Sequence, residues 1–232
     1  AIISGSFSTV VLPEISLQAA SLKEAKQNEM FKENIKKTLS WTYIPLSLIS
    51  AFVVSIAIPI SHIISVGEAR NGSKLFEQIL IFMFIGLVPY GVFQSCSRIF
   101  FAKSNVKTPA LVVLVTSLVI SGVGLLIAKT FTSLSIVVIM GLIHTIAYAI
   151  AGIILLIILK SNGLNVMPSR SSGLCIMVSI IFGIFGYLLS RIINPTSMIS
   201  SIMYICILLL GLGFVVLLTT PKTKLIDIKN MI

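Results

Sequence analysis

The stretch that decides the fold is residues 132–159, which read TSLSIVVIMGLIHTIAYAIAGIILLIIL. It contains no charged residue. It is also longer than the roughly 20 apolar residues that a helix needs to cross about 30 Å of hydrocarbon. Because an α-helix satisfies its own backbone hydrogen bonds in lipid, an unbroken apolar run of this length predicts a membrane-spanning helix.

Similar apolar runs recur on both sides of this stretch. The 232-residue chain is 56% hydrophobic and 10% charged, with a mean hydropathy of +1.09, whereas a soluble domain has roughly a quarter of its residues charged. We therefore predict an all-α fold, a polytopic membrane helix bundle with six transmembrane helices. The predicted spans are residues 41–65, 76–101, 108–128, 132–159, 171–193 and 199–220.

The remaining residues complete the predicted domain organisation. Because the chain opens at Ala1 inside a short apolar run that ends at Pro13, we expect the end of a truncated transmembrane helix there. The predicted segments are then residues 1–13 (truncated helix), 14–40 (cytoplasmic amphipathic linker), 41–160 (four transmembrane helices), 161–220 (two C-terminal transmembrane helices) and 221–232 (cytoplasmic tail).

The orientation follows from the basic residues between the spans. Of the 17 Lys and Arg residues, only Arg70, Lys74, Lys129 and Arg191 fall on the side opposite the linker. Loops rich in Lys and Arg stay in the cytoplasm, so this bias predicts a cytoplasmic C-terminus. It also accounts for the net charge of +10. We therefore expect no nucleic-acid partner, and we expect the basic rim to meet anionic membrane phospholipids.

Neither catalytic nor metal-binding motifs are present in the sequence. It has no nucleophile elbow, no HExxH and no phosphate-binding loop. None of the seven acidic residues is central to a span, where ion-coupled carriers usually place a carboxylate. Cys96, Cys175 and Cys206 are far apart in apolar runs, without a CxxC pair or a Cys/His cluster. We therefore predict that the protein is not an enzyme and that it uses no metal or cofactor.

Two polar residues deep in the fourth span are candidates for function. His144 and Tyr148 are four residues apart and so are expected on one face of a helix. Two readings stay open, a role in handling a proton or substrate and a role as a hydrogen-bonded packing residue. Proline and glycine within the spans, among them Pro59, Gly183 and Gly186, predict kinks and close helix packing. The alternative is that they let the helices flex between two states of a transporter.

The most distinctive segment is residues 86–109, GLVPYGVFQSCSRIFFAKSNVKTP. It predicts a kinked helix that ends at a basic turn and is followed by a helix with Pro109 in its first turn. Arg98, Lys103 and Lys107 then lie at the level of the lipid headgroups. These residues either anchor the helix to the membrane surface or support an anionic headgroup.

Here the chain resembles the MurJ (MviN) family of lipid II flippases, part of a superfamily of multidrug, oligosaccharidyl-lipid and polysaccharide exporters. The resemblance is carried by Gly86-Leu-Val-Pro89, Ser97-Arg-Ile-Phe-Phe-Ala102 and Thr108-Pro109, and upstream by Ser8-Thr-Val-Val-Leu-Pro-Glu-Ile-Ser16. It covers most of residues 1–160, and the later spans are similar in hydropathy. Two departures are Phe101, where the family commonly has Tyr, and Ser104-Asn105, where an acidic residue is usual.

The resemblance implies a fourteen-helix parent in which this chain carries the end of helix 8 and helices 9 to 14. It implies a partial C-terminal lobe with two extra helices, in a bacterial cytoplasmic membrane protein that exports a lipid-linked peptidoglycan precursor by alternating access. Arg98, Lys103 and Lys107 would support the substrate headgroup, while the substrate cavity itself would lie before Ala1. A polysaccharide or multidrug exporter of the same superfamily and a non-transporting membrane scaffold are the alternatives.

Overall fold

The computed structural model describes residues 25–65, 72–129, 133–164, 170–195 and 197–223. Within these ranges the chain forms eight α-helices and no strand. The predicted truncated helix at 1–13 lies outside them, as does the tail beyond residue 223. The helices are α1 Ala25–Ser55, α2 Ala57–Ile64, α3 Ser73–Ile85, α4 Leu87–Ala102, α5 Lys107–Ala128, α6 Ser133–Ser161, α7 Arg170–Ile193 and α8 Met198–Thr223.

The apolar helices match the predicted spans. Thr42–Ser55 and Ala57–Ile64 together are long and apolar enough to cross a membrane, but they meet at an angle of 60°. With that bent pair counted as one span, the described residues hold six, which confirms the polytopic all-α class. The other five are Ser73–Ala102, Lys107–Ile127, Ile136–Ser161, Gly173–Ile193 and Met198–Val216.

Two helix breaks have the same cause. α1 ends at Ser55 and α3 ends at Ile85, and each of these residues lies four positions before a proline, Pro59 and Pro89 respectively. Proline has no N–H to donate to the carbonyl four residues back, so the helical ladder is interrupted at that point. The kink predicted at Pro59 is confirmed, whereas α1 continues through Pro45.

Helix α1 is continuous across residue 40, where the sequence predicted the boundary between the linker and the first span. Ile35 and Leu39 lie one turn apart and are almost completely buried, with 0% and 1% of their surfaces exposed. The apolar face of the last turns of the linker is therefore packed within the protein. The other predicted domain boundaries stay a prediction.

The chain divides into two compact units, and α1 contributes to both. The first unit takes the described residues of Ala1–Leu46 and Gly86–Ser169. In it α4 and α5 both pack against α6. The backbone of α4 approaches α6 closely at Gly152, where an added Cβ would lie 3.4 Å from the Val92 side chain and 3.5 Å from the Pro89 carbonyl oxygen.

The second unit takes the described residues of Ser47–Ile85 and Arg170–Ile232. In it α2 contacts α3, α7 and α8, and α7 also contacts α8. Ile56, Tyr204 and Leu208 form its buried cluster. Most of the outward-facing surface of the spans is apolar, for example Leu210 with 77% of its surface exposed, which is the surface that a bilayer requires.

Candidate functional site

Helix α4 ends in a cap that requires a left-handed residue. The Asn105 backbone N–H donates to the Phe100 carbonyl oxygen at 2.9 Å, and the Ser104 N–H donates to the Phe101 carbonyl oxygen at 2.9 Å. This pair of bonds is the Schellman motif. Its left-handed position is held by Ser104, with φ 56°, although glycine fits such a backbone at lower cost. The cap turns the chain sharply after Lys103.

Helix α5 starts four residues later with a side-chain cap. The Asn105 carboxamide oxygen accepts a bond from the Thr108 backbone N–H at 3.3 Å, and its amide nitrogen donates to the Thr108 hydroxyl oxygen at 3.1 Å. Pro109 is the third residue of α5, within the first turn, as predicted. There its missing N–H costs no helical bond. We call residues 98–109 the α4–α5 elbow.

The elbow brings the three predicted basic residues to one end of two neighbouring spans. Arg98 lies one turn before the end of α4, Lys103 follows the last residue of that helix, and Lys107 is the first residue of α5. Lys107 is exposed, whereas Arg98 and Lys103 are half-buried. Partial burial lowers the pKa of Lys103 from its ordinary value. The role of these residues as headgroup supports stays a prediction.

The electrostatic character of this region is one-sided. Residues 86–169 contain no Asp or Glu, and their basic residues are Arg98, Lys103, Lys107, Lys129 and Lys160. The elbow therefore places three of these basic residues at one end of two apolar helices. Such a surface attracts anionic groups.

A groove of about 580 Å³ opens along the elbow, between α4 and α5. Four apolar residues of α5, from Pro109 to Leu114, form one wall. We call this cavity the α4–α5 groove. From α4 it is lined by Phe93, Gln94, Ser97, Arg98 and Phe101.

A cluster of aromatic and polar side chains adjoins the groove. The Tyr148 ring lies 5.1 Å from the Tyr90 ring, 5.3 Å from the Phe93 ring and 4.5 Å from the His144 ring, all with edge-to-face geometry. The Gln94 amide nitrogen donates to the Tyr90 hydroxyl oxygen at 2.8 Å. His144 and Tyr148 thus share one face of α6, as their spacing predicted, and α4 supplies the neighbours that sequence reasoning missed.

The sequence does contain a pattern that could have identified these α4 residues, because polar side chains recur there at every fourth position. Tyr90, Gln94 and Arg98 follow one another at that spacing, which puts them in a stripe about 12 Å long on one face of α4. Each is half-buried. Polar side chains at this depth are costly against lipid tails, so such a stripe favours protein or water as its neighbour.

The second unit uses its polar groups for packing. An added Cβ on Gly186 would overlap Ser55, with the Ser55 Cβ only 2.5 Å away, and one on Gly183 would lie 3.1 Å from the Ala51 Cα. The predicted close packing is therefore confirmed at both glycines. The Tyr204 hydroxyl, which is buried, donates to the Gly186 carbonyl oxygen at 2.5 Å.

The carboxylate of Glu77 accepts a hydrogen bond within the second unit. The Tyr187 hydroxyl donates to a Glu77 carboxylate oxygen at 3.0 Å.

Among the residues that the structure describes, no group of three or more His, Cys, Asp or Glu side chains could hold a metal ion. Cys96 and Cys175 are buried, and Cys206 is exposed on α8.

The spans and the cationic elbow define a class, the polytopic α-helical membrane proteins. Comparison of the sequence with models of known protein families identifies the family. The family model described as lipid II flippase MurJ matches residues 1–220, so the chain belongs to the MurJ family. The match extends through residues 161–220, where the resemblance rested on hydropathy. This is a family of flippases rather than enzymes. No curated protein and no solved structure matches the chain.

Proposed function

We propose that the protein exports a lipid-linked peptidoglycan precursor, lipid II, across the bacterial cytoplasmic membrane. The observation that supports this most is the family match over residues 1–220, which takes in the six apolar spans. In this proposal the protein works by alternating access. Its elbow and its C-terminus are cytoplasmic.

The elbow has the chemistry that a lipid pyrophosphate needs near the membrane surface. Arg98, Lys103 and Lys107 are the cations of the turn that joins two spans. Guanidinium and ammonium groups bind phosphate through charge-assisted hydrogen bonds. We assign these residues a supporting role, in which they hold lipid headgroups at the membrane surface as the substrate approaches.

The polar cluster on α4 and α6 fits the same function. His144 and Tyr148 form its α6 side, and the Tyr148 ring contacts both the His144 ring and the Tyr90 ring of α4. A sugar-bearing head that crosses the membrane requires a polar path, and polar side chains within spans commonly mark such paths. We propose that His144 and Tyr148 face this path.

Depletion of the protein in its host cell tests the proposal. The flippase predicts that lipid-linked precursor accumulates and that new peptidoglycan falls, as measured by precursor extraction and by incorporation of labelled cell-wall sugar. The control is re-expression of the intact gene, which should restore both quantities. Normal peptidoglycan synthesis without precursor accumulation would refute the proposal and favour a membrane scaffold. Accumulation of a different lipid-linked saccharide would favour a polysaccharide exporter.

A further inference from the structure

The hydroxyl group of Tyr90 is the acceptor in its hydrogen bond with Gln94. The Gln94 amide nitrogen, one turn further along α4, donates to the Tyr90 hydroxyl oxygen at 2.8 Å. Because an amide nitrogen only donates, the Tyr90 hydroxyl keeps its own proton for another acceptor. Among the residues that the structure describes, none provides that acceptor. Tyr90 therefore has a hydrogen bond left to give.

Two further polar groups lie beside Tyr90. The Tyr148 ring is 5.1 Å from the Tyr90 ring and 4.5 Å from the His144 ring. Within the described part of the chain, neither the Tyr148 hydroxyl nor the His144 imidazole makes a hydrogen bond. A polar group inside a span is costly unless it meets a partner, water or a polar ligand. The three residues thus present unsatisfied polar groups at one place.

His144 is exposed on the side of α6 that is otherwise packed. Ala151 and Leu155 follow it by seven and eleven residues, which puts all three on one face of the helix. These two residues have 1% and 0% of their surfaces exposed. The opposite face carries Ile146 and Ile150, with 50% and 54% of their surfaces exposed. The opening at His144 therefore lies on the packed side of α6 and not on its apolar outer side.

The polar groups of this cluster suit an uncharged ligand. Residues 86–97 and 132–159 contain no Asp, Glu, Lys or Arg, and the nearest charged residue on α4, Arg98, lies two turns from Tyr90. Phosphates bind most strongly to Arg and Lys side chains. Sugars instead exchange neutral hydrogen bonds through their hydroxyl groups, and their C–H faces pack on aromatic rings. The cluster therefore fits a sugar better than a phosphate.

We propose that the Tyr90 hydroxyl donates a hydrogen bond to a sugar of the lipid-linked precursor, and that Gln94 is the positioning residue that keeps this hydroxyl available as a donor. Tyr148 and His144 contact the same sugar from α6. The assignment rests on the proposed flippase function, because that function supplies the sugar-bearing substrate. Since Gln94 and Tyr90 lie on consecutive turns of α4, their bond depends on this helix alone.

The contribution of the Tyr90 hydroxyl is measured with two lipids that differ only in their sugars. The intact protein in detergent micelles is titrated with lipid II and with the same polyprenyl pyrophosphate without sugars, and native mass spectrometry gives both dissociation constants. Tyr90→Phe keeps the aromatic ring and removes the hydroxyl. It should weaken binding of lipid II by about fivefold to tenfold, the effect of one neutral hydrogen bond. Binding of the sugar-free lipid should not change.

The positioning role of Gln94 is tested with a substitution of similar shape. Gln94→Met should weaken binding of lipid II by about threefold. Combined with Tyr90→Phe it should cause no further loss, because Gln94 acts through the Tyr90 hydroxyl. Gln78→Met, on an exposed position of α3, is the matched control and should leave both dissociation constants unchanged. A misfolded variant would alter the binding of both lipids and is distinguished in this way.

Three outcomes would overturn the assignment. The first is unchanged binding of lipid II by Tyr90→Phe, the second is an equal loss for the two lipids, and the third is a full additive loss when Gln94→Met is combined with Tyr90→Phe. A protein that passes the depletion test but gives any of these outcomes would refute the sugar contact alone. A protein that fails the depletion test but shows the sugar-dependent loss would refute the flippase function alone.

Discussion

At the scale of single residues, two buried tyrosines differ in how their hydroxyl groups are satisfied. Tyr43 and Tyr204 have 3% and 4% of their surfaces exposed. Tyr204 donates to the Gly186 carbonyl oxygen, whereas the Tyr43 hydroxyl has no hydrogen-bond partner within the part of the chain that the structure describes. A buried polar group without a partner costs free energy, and one with a partner contributes a little.

The same substitution should therefore have opposite effects at the two tyrosines. Tyr204→Phe should lower the free energy of unfolding by about 1–2 kcal/mol, and Tyr43→Phe should leave it unchanged or raise it by up to about 1 kcal/mol. Unfolding in mixed detergent micelles measures both. A loss at Tyr43 as large as the loss at Tyr204 would mean that the Tyr43 hydroxyl has a partner of its own.

A second residue-scale prediction concerns the left-handed backbone of Ser104. Ser104→Gly should stabilise the elbow by about 1 kcal/mol, because glycine adopts this backbone without the Cβ clash. The control is Ser117→Gly on an exposed position inside α5, which should destabilise the protein by about 0.5–1 kcal/mol. Equal effects at the two serines, measured by the same unfolding assay, would contradict the cap geometry.

At the scale of helices, the sequence predicted where each span lies and the bend near Pro59, but not which faces of the helices pack together. Apolar length alone placed 108–128 and 171–193 within a residue of α5 and α7. Pro59 predicted the 60° bend between Ser55 and Ala57. Pro45, in contrast, lies inside a continuous helix. A proline therefore allows a helix to bend, and the packing around the helix decides whether it does. The groove and the contact of Tyr90 with Tyr148 depend on which faces of α4, α5 and α6 meet, and hydropathy carries no information about that.

Helix packing in the second unit gives a prediction at this scale. Gly186→Ala should lower the free energy of unfolding by about 1–3 kcal/mol, because the new Cβ would overlap Ser55 and overpacking strains both helices. Gly122→Ala is the matched control, since nothing lies within 4 Å of a Cβ there, and it should be neutral or stabilising. Ser55→Gly combined with Gly186→Ala should relieve the overlap, and a loss equal to that of Gly186→Ala alone would contradict the contact.

At the scale of the whole molecule, the loops give the chain a direction across the membrane. Lys107 and Lys160 are exposed at helix ends that the charge bias places in the cytoplasm, and Lys129 is exposed at an end that it places outside. The family match assigns this bundle of spans to the MurJ family, while the neighbours of the candidate site residues depend on helix packing that only the folded chain provides.

Single-cysteine variants test the orientation. In a background with Cys96, Cys175 and Cys206 replaced by Ser, Lys129→Cys should react with a membrane-impermeant maleimide in intact cells. Lys107→Cys and Lys160→Cys should react only after the membrane is opened. Labelling of Lys107→Cys in intact cells, at the same rate as Lys129→Cys, would show that the elbow lies outside and would remove its proposed contact with the cytoplasmic leaflet.

The central claim is that the protein moves a lipid-linked peptidoglycan precursor from one leaflet to the other. The most direct measurement follows labelled precursor in cells depleted of the protein and then re-expressing it. An enzyme that cleaves the precursor is added outside, and the cleaved fraction reports the outer leaflet. We predict that the cleaved fraction falls on depletion and recovers with re-expression. An unchanged cleaved fraction throughout depletion, with the precursor still being made, would contradict the account.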